Sequence, residues 1–216
     1  MTDITNTFLL VYAALLPIVN PVGNAPIFLA LTRSYSQAIR DSLARRVAVN
    51  SFFLLLGSLF IGSHVLGFFG ITVPVLRIAG GLAVSSFGWR LLRDGIEPSH
   101  DPGPAAEEAR VEAFYPLTMP LTAGPGSIAV AITIGAQRPQ NLGLTDVAIL
   151  GAAAITGLFA ISATVLLCYR FADRMVSMLG PSGISVMVRL TAFILLCIGI
   201  QIIWSGYSAL MGLPPG

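Results

Sequence analysis

Long apolar runs that are almost free of charged side chains recur along this chain, and they limit what it can fold into. A helix needs roughly 20 apolar residues to cross the hydrocarbon core of a bilayer. Runs of about this length cover residues 6–32, 47–76, 73–89, 113–137, 147–169 and approximately 184–210. Because the runs are continuous rather than alternating, they favour helices over the strands of a membrane barrel. The sequence therefore predicts an all-α membrane protein with six transmembrane helices.

The composition agrees with a chain that lies in lipid. Only 10% of the residues are charged, whereas soluble domains carry about a quarter. The formal net charge of +2 gives no basic footprint for nucleic acid. Cys168 and Cys197 lie in apolar runs without the spacing of a metal or redox site, so we expect two buried packing residues and neither metal nor cofactor. The chain begins Met-Thr-Asp without a basic stretch, so we expect no cleavable signal peptide.

The distribution of arginine predicts how the chain is oriented in the membrane. Cytoplasmic loops of membrane proteins are enriched in basic residues. In a six-span topology one side has Arg138 alone, while the other side has Arg33, Arg40, Arg45, Arg46, Arg90, Arg93, Arg110, Arg170 and Arg174. We therefore expect both termini on the outer, periplasmic side and the polar segment 97–112 as a cytoplasmic linker.

The two halves of the chain, residues 1–96 and 113–216, share a repeated pattern. Leu66-Gly67-Phe68-Phe69-Gly70-Ile71 corresponds to Leu179-Gly180-Pro181-Ser182-Gly183-Ile184, and an arginine follows each turn, Arg77 and Arg189. Near the start of each half, Asn20-Pro21-Val22-Gly23 corresponds to Gly124-Pro125-Gly126-Ser127. Because each half has three predicted spans, the second must be inverted relative to the first, an arrangement that places a binding site near the midplane. The alternative is that the halves share only generic apolar composition.

Spans one and four contain too many prolines and glycines to be continuous helices. Pro17, Pro21, Gly23 and Pro26 interrupt the first, and Pro116, Pro120, Gly124, Pro125 and Gly126 interrupt the fourth. Unwound backbone at membrane depth is tolerated only against protein or a water-filled cavity. We expect each second half-helix to restart there, with Asn20 as N-cap, and to offer free N–H groups to an anionic group. The predicted binding residues are Asn20, Pro21, Gly23, Asn24, Thr122, Gly124, Pro125, Gly126 and Ser127. The alternative is a proline kink that only helps the helices to pack.

Several other polar residues in the spans invite a functional interpretation. Arg77 and Arg189 are predicted either to cap free carbonyls or gate the site, or to reach the membrane interface. Gln201 is expected to be a polar partner inside the bundle. His64 fits an interfacial residue better than a proton carrier. No Asp or Glu falls in a predicted span core, which argues against a carboxylate proton relay.

The sequence also resembles a known family. Asn20-Pro21-Val22-Gly23-Asn24-Ala25-Pro26, Arg77-Ile78-Ala79-Gly80-Gly81, Pro120 to Ile128 and the two LGxxGI turns resemble the MarC family of bacterial integral membrane proteins. After Arg189 this chain has Leu190-Thr191-Ala192, where the family more often has Met-Gly. The resemblance implies six spans, an inner-membrane location and transport of a small neutral amino acid such as glycine or alanine.

The leading hypothesis is therefore a secondary transporter that works by alternating access around a midplane site. An intramembrane serine hydrolase built on Ser127 and His64 lacks a base beside the serine and a carboxylate to orient the histidine, so we expect no enzyme. A membrane scaffold or regulator is the remaining alternative. The expected partners are a small-molecule solute and membrane lipid, without nucleic acid, and assembly into a homo-oligomer is left open.

Overall fold

The computed structural model describes residues 2–94, 113–136 and 144–213, and the regular structure in these ranges is helical. The predicted linker 97–112 and Arg138 lie outside the described residues. In chain order the helices are α1 (Thr2–Val19), α2 (Pro21–Leu31), α3 (Gln37–Phe68), α4 (Val73–Asp94), α5 (Ala113–Thr122), α6 (Pro125–Ala136), α7 (Leu144–Arg170) and α8 (Ala172–Met211).

Four helical stretches among the described residues are long and apolar enough to cross a membrane by themselves. They are Gln37–Phe68, Val73–Asp94, Val147–Arg170 and Gly183–Met211. A fifth span is formed if α1 and α2, which meet at a bend of 41°, are counted together. The prediction of an all-helical membrane protein is thus confirmed, with four or five spans by length and composition. At 12 residues, α6 is an apolar helix too short to be counted by the same measure.

Both predicted breaks are present, and the residue types explain them. Asn20 has a left-handed φ of 43°, and its side chain accepts a hydrogen bond from the Gly23 N–H at 3.2 Å. Asparagine tolerates this conformation and is a preferred N-cap, while Pro21 has the fixed φ of a first helical residue. The second break is less regular, because Tyr115 and Met119 within α5 have extended backbone angles before α6 begins at Pro125.

The two LGxxGI turns differ from each other in the structure. In the first half, Gly70 adopts a φ of +67° just after α3 ends. In the second half the left-handed residue is Gly180, which corresponds in the repeat to Gly67 rather than to Gly70. There it forms a kink within α8, and the apolar span after the kink, Gly183–Met211, agrees with the sixth span predicted from about Ile184 to Leu210.

The helices of the two halves pack against each other rather than within each half. Helix α1 contacts α6 and α7, α2 contacts α7 and α8, α3 contacts α5, α6 and α7, and α4 contacts α6 and α8. The pair α4–α8 packs closely through glycine, since a Cβ atom on Gly81 would lie 2.6 Å from the Gly199 carbonyl oxygen. The hydrophobic core is therefore shared, and neither half has a core of its own among the described residues.

The outer surface of the helices is apolar, as expected of a surface that faces lipid. Phe53, Leu82, Phe159 and Val186 are all more than half exposed. Cys197 is also exposed and Cys168 is partly buried, so the expectation of two buried cysteines is wrong for Cys197. In a membrane both faces of a helix are apolar, and an apolar run does not identify the face that points inward.

One ion pair shows that two of the arginine-containing loops lie at the same end of the bundle. Arg40, in the first turn of α3, contacts Asp173, in the first turn of α8, at 3.1 Å. The loops after α2 and α7 are therefore neighbours. The exposed arginines near this end are Arg33, Arg45, Arg46, Arg170 and Arg174, and we call it the arginine end.

Candidate functional site

A small cavity lies at the break between α5 and α6. Its volume is about 30 Å³, which is more than the 10–15 Å³ that a water molecule needs. Five of the nine predicted binding residues line it, and α1, α4 and α8 supply apolar walls. The lining residues are Ile18, Ala83, Val84, Phe87, Leu121, Thr122, Gly124, Pro125, Gly126, Ser127 and Leu195.

The start of α6 presents backbone donors to this cavity. The first N–H groups of a helix have no partner within the helix. Pro125 has no N–H, and no described residue accepts a hydrogen bond from the backbone N–H of Gly126 or Ser127. The Ser127 hydroxyl is occupied, because it donates to the Gly124 carbonyl at 2.9 Å. Two backbone N–H groups and the positive end of a helix dipole are thus available to an anionic group.

The predicted residues of the first break do not line the cavity but support it. Asn24 is fully buried, and its Nδ2 donates to the carbonyl oxygens of Val19 at 2.9 Å and Leu121 at 2.8 Å. Val19 ends α1 and Leu121 lies beside the second break, so one side chain joins both breaks. The Oδ1 atom of Asn24 has no hydrogen-bond partner among the described residues. Asn20, Pro21 and Gly23 form the restart of α2, outside the cavity wall.

Helix α8 supports the restart of α2 through Thr191, which the sequence analysis did not assign to the site. Its hydroxyl donates to the Gly23 carbonyl at 3.4 Å. A Cβ atom at position 23 would lie 2.6 Å from the Thr191 Oγ1, so this close packing requires glycine. The one feature of the sequence that drew attention to Thr191 was that Leu190-Thr191-Ala192 departs from the more familiar pattern of the family that this chain resembles.

Tyr169 near the end of α7 is a second residue that the sequence analysis missed. Its hydroxyl forms a hydrogen bond of 2.7 Å with the hydroxyl of Thr122, which also donates to the Leu117 carbonyl. The ring of Tyr169 stacks on Phe28 of α2, with 4.4 Å between centroids, and both side chains are buried. Since α7 ends at the arginine end, Tyr169 connects this aromatic pair near that end to Thr122 in the cavity wall.

The predicted gating or structural residues take different positions from one another. Arg77 is partly buried, and its Nε donates to the Thr133 hydroxyl in the last turn of α6 at 3.2 Å. A cation is favourable at a helix C-terminus, so Arg77 supports α6 at the end opposite to the cavity. Arg189 is exposed on α8. Gln201 is also exposed, so its predicted position inside the bundle is wrong.

The two residues considered for hydrolase chemistry are not connected in the structure. His64 is exposed near the end of α3, and no described hydrogen bond joins it to Ser127. Among the described residues, no three His, Cys, Asp or Glu side chains come together as a metal site would require.

Comparison with known proteins identifies relatives along nearly the full length of the chain. Residues 5–211 match the family described as MarC family integral membrane protein. The chain is 33% identical to the inner membrane protein MarC of Salmonella typhimurium over 213 residues, which is 95% of this chain and 96% of that protein. It is 31% identical to the membrane protein YvbG of Bacillus subtilis over 204 residues, 93% of each chain. No solved structure matches it.

Proposed function

Since this chain belongs to the MarC family of integral membrane proteins, we propose that it is a secondary transporter of a small neutral amino acid such as glycine or alanine. The observation that carries the proposal is the cavity at the α5–α6 break, with two backbone N–H groups that no described residue occupies. A scaffold or regulator has no need of such donors at a break within the membrane. In this proposal the protein is not an enzyme, and its partners are the solute and membrane lipid, without nucleic acid.

The chemistry of the break suits a zwitterion. The N–H groups of Gly126 and Ser127 bind the carboxylate of the solute at the start of α6. Backbone carbonyl groups at the end of α5 accept from its ammonium group, because the last carbonyls of a helix lack partners within the helix. Apolar side chains of α1, α4 and α8 close the remaining wall around a short side chain.

The size of the cavity supports a small solute. Pockets for drug-sized ligands usually enclose about 300–1,000 Å³, whereas this cavity has about 30 Å³. The wall is tight at Gly126, where a Cβ atom would overlap the Val84 side chain. Glycine and alanine add the least volume beyond the ammonium and carboxylate groups that the break can bind.

The packing of the helices supports six spans arranged as two inverted repeats, with α1–α2 and α5–α6 as the broken spans. In the repeat, α1, α2, α3 and α4 correspond to α5, α6, α7 and α8. If each helix is exchanged with its counterpart, every main contact between helices becomes another contact that is present. The contact of α2 with α8 becomes that of α6 with α4, and the contact of α2 with α7 becomes that of α6 with α3. Transport then proceeds by rocking of the two halves around the cavity, which opens alternately to each side.

The arginine end supports an orientation with that end in the cytoplasm. Both termini then lie on the periplasmic side of a bacterial inner membrane, and segment 97–112 is cytoplasmic. The Salmonella relatives are described as inner membrane proteins, which agrees with this location.

Solute flux through the purified full-length chain tests the proposal directly. We expect radiolabelled glycine or alanine to enter proteoliposomes faster than protein-free liposomes. Gly126→Val should reduce this flux at least tenfold, because the added methyl groups occupy the cavity and overlap Val84. Gly57→Val is the matched control, since no atom lies within 4 Å of a Cβ at position 57.

The two variants separate the outcomes. Loss of flux in Gly126→Val with normal flux in Gly57→Val supports the cavity as the solute site. Normal flux in both variants would place the site elsewhere. Absence of flux for every small neutral amino acid in the unmodified protein would favour a scaffold or regulator.

A further inference from the structure

Gln201 lies on the outer surface of α8, deep inside a span. The span covers Gly183–Met211, and Gln201 precedes its last residue by ten positions, which is about 15 Å along a helix. Since the hydrocarbon core is about 30 Å thick, the Gln201 carboxamide lies near the middle of the membrane.

The Gln201 carboxamide has no hydrogen-bond partner in the part of its own chain that the structure describes. No described residue forms a hydrogen bond with it, and the exposed residues nearest to it along α8 are apolar or weakly polar. Thr156 on α7 is also exposed, but its hydroxyl donates to the Ala153 carbonyl of its own helix at 2.8 Å. An amide that faces hydrocarbon without such a bond is strongly unfavourable, so something polar must cover Gln201. We define the α8 face as Leu190, Ile194, Cys197, Gln201 and Trp204.

We propose that a second copy of this chain covers the α8 face and that the two Gln201 carboxamides hydrogen-bond to each other. Copies inserted with the same topology are related by an axis along the membrane normal, so the same residues of two parallel α8 helices meet. A carboxamide carries both donors and an acceptor, and it can therefore complement its own copy. Glutamine side chains in spans are known to join helices in this way.

The surface around Gln201 is compatible with such a contact. Leu190 is 56% exposed and Trp204 is 48% exposed, so apolar area is available on both sides of the amide. The opposite side of α8 carries Thr191 and Leu195, which face α2 and the cavity. A second copy would therefore leave the cavity uncovered, and the proposal does not depend on the transport function.

Cys197 provides a native reporter, because it is exposed one helical turn before Gln201. The chain has two cysteines, so Cys168→Ser leaves Cys197 as the single thiol. In membranes that contain this full-length variant, copper–phenanthroline oxidation should give a disulfide-linked species of twice the monomer mass, which a reductant reverses. The matched control moves the thiol to α7, as Cys168→Ser/Cys197→Ser/Phe159→Cys, because Phe159 is 67% exposed and its ring lies beside Phe52 of α3. This control should remain monomeric.

Removal of the carboxamide tests its role in the contact. Gln201→Leu should weaken dimerisation about threefold to twentyfold, the range expected for a hydrogen bond between membrane helices, when the dimer fraction is measured against protein density in liposomes. Gln201→Asn should retain part of the affinity, and thermal unfolding should show that both variants fold. An equal cross-linking yield for Cys197 and Phe159→Cys, a product of another mass, or unchanged dimerisation of Gln201→Leu would overturn the proposal.

Discussion

At the scale of single residues, the candidate site depends on backbone groups that a few side chains keep in place. Pro125 and Gly126 leave backbone donors free at the start of α6 and keep the space beside them open. Asn24 is the side chain that connects this region to the first break, through carbonyl oxygens on both sides. Its replacement therefore changes two elements at once.

We expect Asn24→Ala to lower the free energy of unfolding by about 1–3 kcal/mol, because it leaves the buried carbonyls of Val19 and Leu121 without a donor. Thermal unfolding of the purified protein in detergent measures the change. Asn50→Ala is the control, since its amide is only partly buried and its bond to Thr118 is long, at 3.5 Å. Equal stability of the two variants would show that Asn24 does not hold the breaks together.

Local chemistry made some of these residues predictable and left others hidden. The cap at Asn20 and the restart at Pro21 follow from residue preferences within a few positions, and the sequence predicted both. The bond from Asn24 to Leu121 joins residues 97 positions apart, and the bond from Thr122 to Tyr169 joins residues 47 positions apart. The periodicity of a single sequence does not indicate which distant residues are hydrogen-bonded. The residues that hold the candidate site in place could therefore be identified only from the structure.

At the scale of helices, the two broken spans differ although the sequence repeats. Helices α1 and α2 are regular on both sides of Asn20, whereas α5 contains extended residues and ends beside the cavity. The end of α5 is joined to α7 by the hydroxyl pair of Thr122 and Tyr169. This bond connects the geometry of the candidate site to the aromatic pair of Tyr169 and Phe28.

Tyr169→Phe removes that bond and keeps the stacking of the ring on Phe28. We expect the KM for the transported amino acid to rise about twofold to tenfold, because one hydrogen bond that positions the binding region is lost. Uptake kinetics in proteoliposomes measure this KM. Tyr12→Phe is the matched control, because it removes a hydroxyl pair with Thr164 at 3.2 Å that does not reach the breaks. A similar KM in the two variants would exclude a specific role for Tyr169.

The direction in which each helix faces was the least predictable feature at this scale. In water an apolar stripe identifies the buried face of a helix, but a helix in lipid is apolar on all sides. For this reason the sequence placed Gln201 and Cys197 inside the bundle, whereas the structure exposes both.

At the scale of the whole molecule, charge and packing point to one arrangement. The ion pair between Arg40 and Asp173 brings two arginine-containing loops to one end of the bundle. The number and length of the apolar runs made the helical membrane fold predictable, since lipid leaves few alternatives for a continuous apolar chain. The proposed orientation in the membrane rests on the same charges.

Reporter fusions test this orientation. We expect a fusion after Gly216 to report a periplasmic location and a fusion inserted near Gly103 to report the cytoplasm, because basic residues are retained on the cytoplasmic side. Paired alkaline phosphatase and green fluorescent protein fusions at both positions give opposite signals and control for expression. A cytoplasmic signal at Gly216 would contradict either the orientation or the even number of spans.

The packing of each half against the other has a consequence for how the ribosome delivers this protein. The main partners of α1 and α2 are α6, α7 and α8, which are synthesised after residue 124. At translation rates of about 5–20 residues per second, the first span waits on the order of ten seconds for them. During that time the Asn24 amide and the free backbone groups at the Asn20 break have no protein partner from the second half. The insertion machinery of the cell must therefore shelter this span from lipid while the rest of the chain is being made.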